Sequence, residues 1–244
     1  MTVEGEPPHA DAPAAPRWGI GDVVLGFFAG FVLSSLMADL WVNASGDHRL
    51  SLGGKALAQL GLWAGLLGTV TLASRWKGAG TLRRDFGLHV RPVDLLLGTA
   101  VGTAAHRLLV PAVALLMRPV VGKPDVSGPA EELFESAHGV AVVGLVLFVV
   151  VGAPIVEELF FRGLLLRSLQ RRMTTGWAVA VTGVVFGLAH PQALALSGLV
   201  LLMVSLAAFG VVLAALAVRT GRLGPCIVAH AAFNAWTAAF LLTR

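Results

Sequence analysis

Two adjacent carboxylates stand inside one of the most apolar stretches of this chain. Glu157 and Glu158 occur in the run IVEELFFR, which ends at Arg162. An ionised side chain in lipid is costly unless it faces the interior of a helical bundle and finds a partner, so intramembrane acids are candidate functional residues. Residues four apart share a helix face, so we expect an ion pair between Glu158 and Arg162. Glu157 points about 100° away and is left for a different neighbour.

Two imidazoles and one amide follow on later apolar segments. His190 ends the run FGLAH before Pro191, and His230 and Asn234 are four apart in HAAFN, so they share a helix face. A carboxylate with an imidazole partner can deprotonate a water that attacks a carbonyl, and nearby donors can stabilise the resulting oxyanion. We therefore predict a hydrolytic site with Glu157 as base, His190 as its partner, and His230 and Asn234 as oxyanion donors.

The composition places these residues in a membrane. The chain has 244 residues, of which 56% are hydrophobic and 13% charged, with a mean hydropathy of +0.80. A soluble domain carries about 25% charged residues. We predict an all-α fold, a polytopic membrane helix bundle of about seven to eight transmembrane helices. The basic residues that give the net charge of +4 lie near predicted helix ends and indicate topology, so we expect lipid and no nucleic acid as a partner.

Seven apolar runs are the predicted spans. They cover about 19–42, 54–74, 93–117, 138–172, 177–191, 196–218 and 223–242. Eleven Lys and Arg residues fall on the side of the N-terminus and five on the other, which predicts a multi-pass protein of the plasma membrane with a cytoplasmic N-terminus. Seven spans then place the C-terminus outside, and an eighth would reverse it. Residues 1–17, rich in Pro and Ala, are predicted to be a disordered cytoplasmic tail.

The fourth run is long enough to be interrupted. It contains Gly152-Ala153-Pro154, and a proline inside a helix removes a hydrogen bond and kinks the axis. We predict a break there, with the glutamates opening a second helix whose N-terminal dipole favours their charge. Residues 18–244 are then one transmembrane domain with a catalytic core over about 138–240.

The order of these motifs resembles the CPBP intramembrane protease family, which includes the type II CAAX prenyl endopeptidases and bacterial relatives of the lysostaphin-resistance type. The resemblance covers residues 138–240. It implies the same roles for Glu157, His190, His230 and Asn234, and supporting roles for Glu158 and Arg162. It implies an endopeptidase without a cofactor, acting on hydrophobic or membrane-associated, possibly prenylated peptides or membrane proteins, and we expect cleavage on the cytoplasmic side.

Other interpretations remain open at this point. The glutamates could be a solvated pair beside the membrane, and two histidines with a glutamate are also a ligand set for a zinc-dependent protease. The same fold could serve a non-catalytic scaffold or immunity protein, or a proton-coupled transporter. Cys226 lies four residues before His230, so a thiol protease is conceivable, although packing is the simpler role. The role of His106-Arg107, inside the third predicted span, is undecided.

Overall fold

A computed structural model of the chain is helical along the predicted apolar runs. It describes residues 16–46 and 50–243, so nearly all of the predicted tail, together with His9, His48 and Arg244, lies outside the described residues. Within them, six helices are long and apolar enough to cross a membrane. In chain order the helices are α1 Ile20–Ser45, α2 Leu52–Lys77, α3 Leu82–Phe86, α4 Pro92–Val121, α5 Gly128–Glu135, α6 Val140–Gln170, α7 Thr175–Leu188, α8 Leu196–Thr220 and α9 Gly224–Leu242. The predicted polytopic all-α bundle is confirmed.

Helix α7 is the one predicted span that falls short of a full crossing. Its 14 residues extend about 21 Å at 1.5 Å per residue, against roughly 30 Å of hydrocarbon. The chain continues from its end at Leu188 through the non-helical segment 189–195 before α8 begins. A non-helical segment at membrane depth is tolerated where it is enclosed by protein or lines a cavity. This segment carries His190.

Glycines bring neighbouring helices into close contact. A Cβ on Gly61 of α2 would lie 2.6 Å from the backbone oxygen of Leu33 in α1, and one on Gly98 of α4 would lie 2.8 Å from that of Pro225 in α9. Gly183 of α7 packs in the same way on α8. Small residues allow backbones to approach closely, which is how helices associate where lipid weakens the hydrophobic driving force. These closely packed helix pairs surround α6.

Helix α6 is not broken at Pro154, so the predicted interruption is wrong. The helix runs through Val140–Gln170 and is π-helical at Phe148–Gly152 and again at Leu159–Leu165. At the first of these, which we call the wide turn of α6, the Ala153 N–H donates to the Phe148 carbonyl five residues earlier. A π-helical turn accommodates an extra residue without ending a helix. Pro154, which has no N–H, falls where the hydrogen-bond pattern returns to the α-helical one. The glutamates therefore lie within a helix and not at its N-terminus.

Helix α4 contains the same combination of a π-helical turn and a proline. The turn spans Ala105–Leu109, the Val110 N–H donates to the Ala105 carbonyl, and Pro111 follows. In both helices the proline is therefore the second residue after the wide turn. The turn in α4 includes His106 and Arg107, and π-helical turns are frequent at functional sites.

One end of the bundle is closed by paired charges. Asp94 at the start of α4 accepts hydrogen bonds from Arg222 Nε at 3.0 and 3.1 Å, and Lys77 Nζ lies 2.6 Å from Asp22 Oδ1. Asp85 also accepts hydrogen bonds, from Ser74 Oγ at 2.6 Å and from the Ala79 N–H at 2.8 Å. We call this the basic end, because eleven described Lys and Arg residues cluster there: Arg17, Arg75, Lys77, Arg83, Arg84, Arg91, Arg167, Arg171, Arg172, Arg219 and Arg222.

Candidate active site

Glu157 and His190 meet at the wall of a cavity. The Oε2 atom of Glu157, on α6, lies 3.5 Å from Nε2 of His190, which follows α7. The same oxygen lies 3.9 Å from Nε2 of His230 on α9. It is buried and has no hydrogen-bond partner within the described residues. Buried polar groups are almost always hydrogen-bonded, so an unpartnered carboxylate oxygen between two imidazoles points to chemistry at this atom.

Glu158 is the centre of a separate, fully buried network. Its Oε1 accepts a hydrogen bond from Nη1 of Arg162 at 2.8 Å, and both side chains are 0% exposed. This is the ion pair expected from their spacing. Nδ1 of His230 lies 2.9 Å from the same oxygen, and Nη2 of Arg162 donates to the Gly210 carbonyl of α8 at 3.1 Å. Glu158 and Arg162 therefore join α6 to α8 and α9 and orient the His230 ring.

The hydrogen bonds at Nδ1 fix the proton positions on both imidazoles. Nδ1 of His190 lies 2.6 Å from the Phe186 carbonyl, which can only accept a hydrogen bond. Nδ1 of His230 faces the carboxylate of Glu158, which in its ion pair also accepts. Each neutral ring therefore carries its proton on Nδ1 and presents an unprotonated Nε2 towards Glu157. It follows that His230 can donate from Nε2 to an oxyanion only when its ring is doubly protonated.

Asn234 is held by a carbonyl that Pro154 leaves without a helical donor. In α6 the Val149 carbonyl would be bonded by the N–H of residue 153 or 154, but Ala153 donates to Phe148 and proline has no N–H. Nδ2 of Asn234 donates to this carbonyl at 2.8 Å and so attaches α9 to the wide turn of α6. One amide hydrogen is occupied in this way, and the second remains for another acceptor.

Aromatic rings enclose the two histidines. The ring centroid of Phe186 lies 4.6 Å from that of His190 and 5.7 Å from that of His230. Phe209 of α8 contacts His230 from another side, at 5.7 Å and nearly perpendicular. The Arg162 guanidinium carbon lies 4.4 Å from the centroid of Phe186, which adds a cation–π contact to the network. These rings limit the imidazole rotamers and keep the surroundings of Glu157 apolar.

A cavity of about 1420 Å³ reaches from the site to one end of the bundle. Glu157, His190, His230 and Asn234 all line it. Its other lining residues come from the halves of the helices that lie away from the basic end, and from α5 with the loop before it. They include Lys55, Gln59, Pro124, Ser127, Pro129 and Leu133. The cavity therefore occupies the half of the bundle opposite the basic end, and its wall is mainly apolar.

The geometry bears on three alternatives that the sequence left open: a metal site, a thiol protease and a solvated pair of glutamates. Among residues 16–46 and 50–243, no three His, Cys, Asp or Glu side chains have the spacing of a metal site. Cys226 is buried, and its thiol donates to the Leu213 carbonyl at 3.4 Å, as expected for a packing residue. The carboxylates are not a solvated pair, because Glu158 is 0% exposed and the side chain of Glu157 is 15% exposed.

The six residues selected from the sequence come together from three separate regions of the chain, α6, the segment after α7, and α9. Sequence reasoning did not foresee the aromatic enclosure by Phe186 and Phe209, nor that α5 would line the cavity. It left His106 and Arg107 undecided, and both line the cavity. The proline four residues after Arg107 was the available signal, since Pro154 stands in the same relation to the wide turn of α6.

Comparison with known proteins identifies one part of the chain. Residues 139–236 match the family described as type II CAAX prenyl endopeptidase Rce1-like, and this range contains all six selected residues. No curated protein and no solved structure matches the chain. The resemblance to CPBP proteases inferred from the motifs is confirmed. Residues 139–236 of this multi-pass membrane protein are therefore similar to the Rce1-like family of type II CAAX prenyl endopeptidases, which supports membership of the CPBP intramembrane protease family.

Proposed function

We propose that this protein is an intramembrane endopeptidase that hydrolyses hydrophobic or membrane-associated peptides with water activated by Glu157. One observation carries the proposal. The buried Oε2 of Glu157 has no hydrogen-bond partner among residues 16–46 and 50–243 and lies between Nε2 of His190 and Nε2 of His230, at the wall of a cavity large enough for a peptide. The family fits this activity, since its description is that of a peptidase.

The mechanism follows from the acceptor atoms at the site. A water donates one hydrogen to Oε2 of Glu157 and the other to Nε2 of His190, which leaves an oxygen lone pair for attack on the scissile carbonyl. Glu157 takes the proton as the C–O bond forms. His230, protonated at Nε2, and the second amide hydrogen of Asn234 then stabilise the oxyanion. Collapse breaks the C–N bond, and the leaving amine receives the proton from Glu157 through His190.

Because of the position of the cavity, we now expect the substrate to enter from the other side of the membrane. Basic residues collect on the cytoplasmic side of membrane proteins, so we place the basic end in the cytoplasm, with the protein in the plasma membrane. The cavity occupies the opposite half, towards α5. We therefore propose that peptides reach Glu157 from the extracytoplasmic half of the membrane and not from the cytoplasmic side.

The catalytic proposal is tested with purified protein in detergent and a mixture of internally quenched hydrophobic peptides. Glu157→Gln keeps the shape of the side chain but removes the base, and we expect it to slow cleavage by roughly 10²–10⁴-fold. Glu135→Gln is the matched control, because Glu135 is exposed on α5 and does not line the cavity. Unchanged cleavage by Glu157→Gln would contradict the proposal.

The orientation has an independent test in intact cells. A membrane-impermeant maleimide should label Glu135→Cys but not Arg83→Cys, since these positions lie at opposite ends of the bundle. The native thiol of Cys226 is 0% exposed and gives a low background. Labelling of Arg83→Cys alone would reverse the proposed orientation and return the cavity to the cytoplasmic side.

A zinc-dependent protease is the second candidate, and one observation favours it. Both imidazoles donate from Nδ1 and present Nε2 to the same carboxylate, as ligating histidines usually do. Their distances from Glu157 are longer than a formed site requires. Elemental analysis of the purified protein, with chelator treatment and zinc restoration, separates the two: stoichiometric zinc and chelator-sensitive cleavage would favour the metal mechanism.

A further inference from the structure

The charges at the basic end are sorted by depth. Its three carboxylates in the described residues, Asp22, Asp85 and Asp94, are 7%, 7% and 0% exposed. Each of them accepts a hydrogen bond from a neighbouring segment of the protein. The exposed charges at this end are therefore all positive within the described residues. At the opposite end, by contrast, Glu132 is exposed and pairs with Lys55.

Six arginines at the basic end are exposed and form no ion pair within residues 16–46 and 50–243. They are Arg75, Arg83, Arg84, Arg91, Arg172 and Arg219. Like charges gathered on one surface repel each other, so an external anion would stabilise this surface. The protein's own acids at this end are already used inside the bundle. The basic end is therefore a candidate binding surface for an anion from outside the chain.

Three of these arginines are attached to a well-anchored part of the backbone. Helix α3 is held by Phe86, which is 0% exposed and contacts Trp18 with 5.1 Å between the ring centroids. Arg83 and Arg84 belong to the same helix and are exposed. Arg91 directly precedes α4, and its N–H is bonded to a buried carboxylate. The positions of these cations are therefore set by the fold before any ligand binds.

Exposed tryptophans indicate the level of the membrane surface. Trp76, in the last turn of α2, and Trp177, in the first turn of α7, are each 68% exposed. Tryptophans on the outside of membrane proteins are enriched at the level of the lipid headgroups. Arg83, Arg84 and Arg91 lie between the end of α2 and the start of α4. These arginines are therefore at the level of the lipid phosphates.

A shallow, mainly apolar groove runs from this level along the outer face of α4. Leu95, Leu96, Ala100 and Ala104 are among the residues that line it, and the two leucines are 58% and 78% exposed. The distance from Arg91 to Ala104 is about 20 Å along the helix axis. The hydrocarbon of one leaflet is about 15 Å thick. The groove is therefore long enough for an acyl chain whose headgroup lies at Arg91.

We propose that the basic end and the outer face of α4 bind an anionic phospholipid, with its phosphate at Arg83, Arg84 and Arg91 and one acyl chain in the groove. A soluble phosphate would pair with the arginines but leave the groove without a ligand. A zwitterionic phospholipid carries its own cation beside the phosphate, so it gains less from the arginines. Arginine pairs with phosphate through two parallel hydrogen bonds. The lipid site does not depend on the proposed peptidase activity.

The test is a lipid titration of the purified, delipidated protein in detergent, followed by native mass spectrometry. The probes are phosphatidylglycerol and phosphatidylcholine with identical acyl chains. The wild type should bind its first phosphatidylglycerol on the order of tenfold more tightly than its first phosphatidylcholine. The double variant Arg83→Gln with Arg84→Gln should lose most of this preference, and Arg91→Gln should lose part of it.

The matched control is Arg118→Gln with Lys123→Gln, which removes two exposed cations from the opposite end and should keep the preference. Ala100→Trp, at an exposed position, fills the groove and should weaken the binding of both lipids without changing their ratio. All these variants should keep the wild-type melting temperature in detergent, because the substituted side chains are exposed. Glycerol phosphate, which lacks acyl chains, should not displace phosphatidylglycerol at the same concentration.

Four results would overturn the proposed lipid site. One is equal affinity of the wild type for the two lipids, and another is a preference that survives in the Arg83 and Arg84 double variant. An equal loss of preference in the control at Arg118 and Lys123 would show that net charge alone is responsible. Displacement of the lipid by glycerol phosphate or inorganic phosphate would show a simple anion site without a role for the groove.

Discussion

The two halves of the bundle treat buried carboxylates in opposite ways. At the basic end, both oxygens of Asp94 accept hydrogen bonds, from Arg222 and from the Arg91 N–H, and Asp22 and Asp85 are similarly paired. In the half that contains the cavity, one buried oxygen of Glu157 has no hydrogen-bond partner in the part of the chain that the structure describes. A carboxylate surrounded by donors is stabilised as an anion and holds helices together. A carboxylate left with an empty acceptor site is available to water.

Glu158 shows that the difference is not one of depth. It neighbours Glu157 in sequence and is more deeply buried, yet its Oε1 is bound by Arg162 and His230. Its Oε2 also has no hydrogen-bond partner among the described residues, but Glu158 does not line the cavity. The two adjacent glutamates thus have different roles: Glu158 joins the helices, and Glu157 faces the cavity. Four substitutions, taken from the largest expected effect to the smallest, separate structural from reactive carboxylates.

The largest effect is expected on activity alone. Glu157→Gln should lower kcat by roughly 10²–10⁴-fold, the usual contribution of a general base. Its melting temperature should equal or exceed that of the wild type, because no hydrogen bond to Oε2 is lost. Cleavage and thermal unfolding measured on the same preparation check both. A variant that loses stability in step with activity would show that Glu157 is a structural residue.

The buried ion pair should behave in the reverse way. Arg162→Met leaves Glu158 charged and unpaired in a fully buried position, and the free energy of unfolding should fall by roughly 3–5 kcal/mol. Adding Glu158→Gln should recover part of this loss. Lys55→Met is the control, because its pair with Glu132 is exposed and should contribute less than about 1 kcal/mol. Denaturation of the wild type and the three variants checks the coupling, and equal losses at both sites would contradict it.

A smaller loss of stability is expected at the basic end. Asp94→Ala removes the partner of Arg222, and the free energy of unfolding should fall by roughly 1.5–3 kcal/mol. Peptide cleavage at a temperature where the variant is folded should be unchanged, since Asp94 does not line the cavity. Asp39→Ala, at an exposed position in α1, should have little effect on either measurement. If Asp94→Ala lost activity while it was still folded, the basic end and the half with the cavity would be functionally coupled, contrary to this prediction.

The smallest effect concerns the wide turn of α6. Asn234→Leu leaves the Val149 carbonyl without its donor and should destabilise the protein by about 1–3 kcal/mol. Pro154→Ala restores an N–H at the position where that carbonyl needs one, so the double variant should be more stable than Asn234→Leu alone. Thermal unfolding of both checks this. No recovery would mean that Pro154 is not the reason for the free carbonyl.

The sequence predicted the helices but not the irregularities within them. The hydrophobic runs predicted every long helix, because a run of about twenty apolar residues in a bilayer has few alternatives to a membrane-spanning helix. The spacing of Glu158 and Arg162 predicted their pair, since local helix geometry determines it. Pro154 was read as a break, because its effect depends on whether the helix can widen and whether another helix supplies a donor. That donor is Asn234, 80 residues later, and no local pattern shows the contact.

Every wide turn adds one residue to the circuit of its helix, and this has a consequence for how the chain tolerates change in length. Deleting a single residue within Phe148–Gly152 would remove the extra residue, return that stretch to ordinary α-helical winding and leave both glutamates directed at α9. The same deletion in the regular winding of Val140–Leu147 has no extra residue to remove and would turn the two parts of α6 by about 100° relative to each other. A chain shortened there would still insert in the bilayer, but its acids would contact the wrong neighbours.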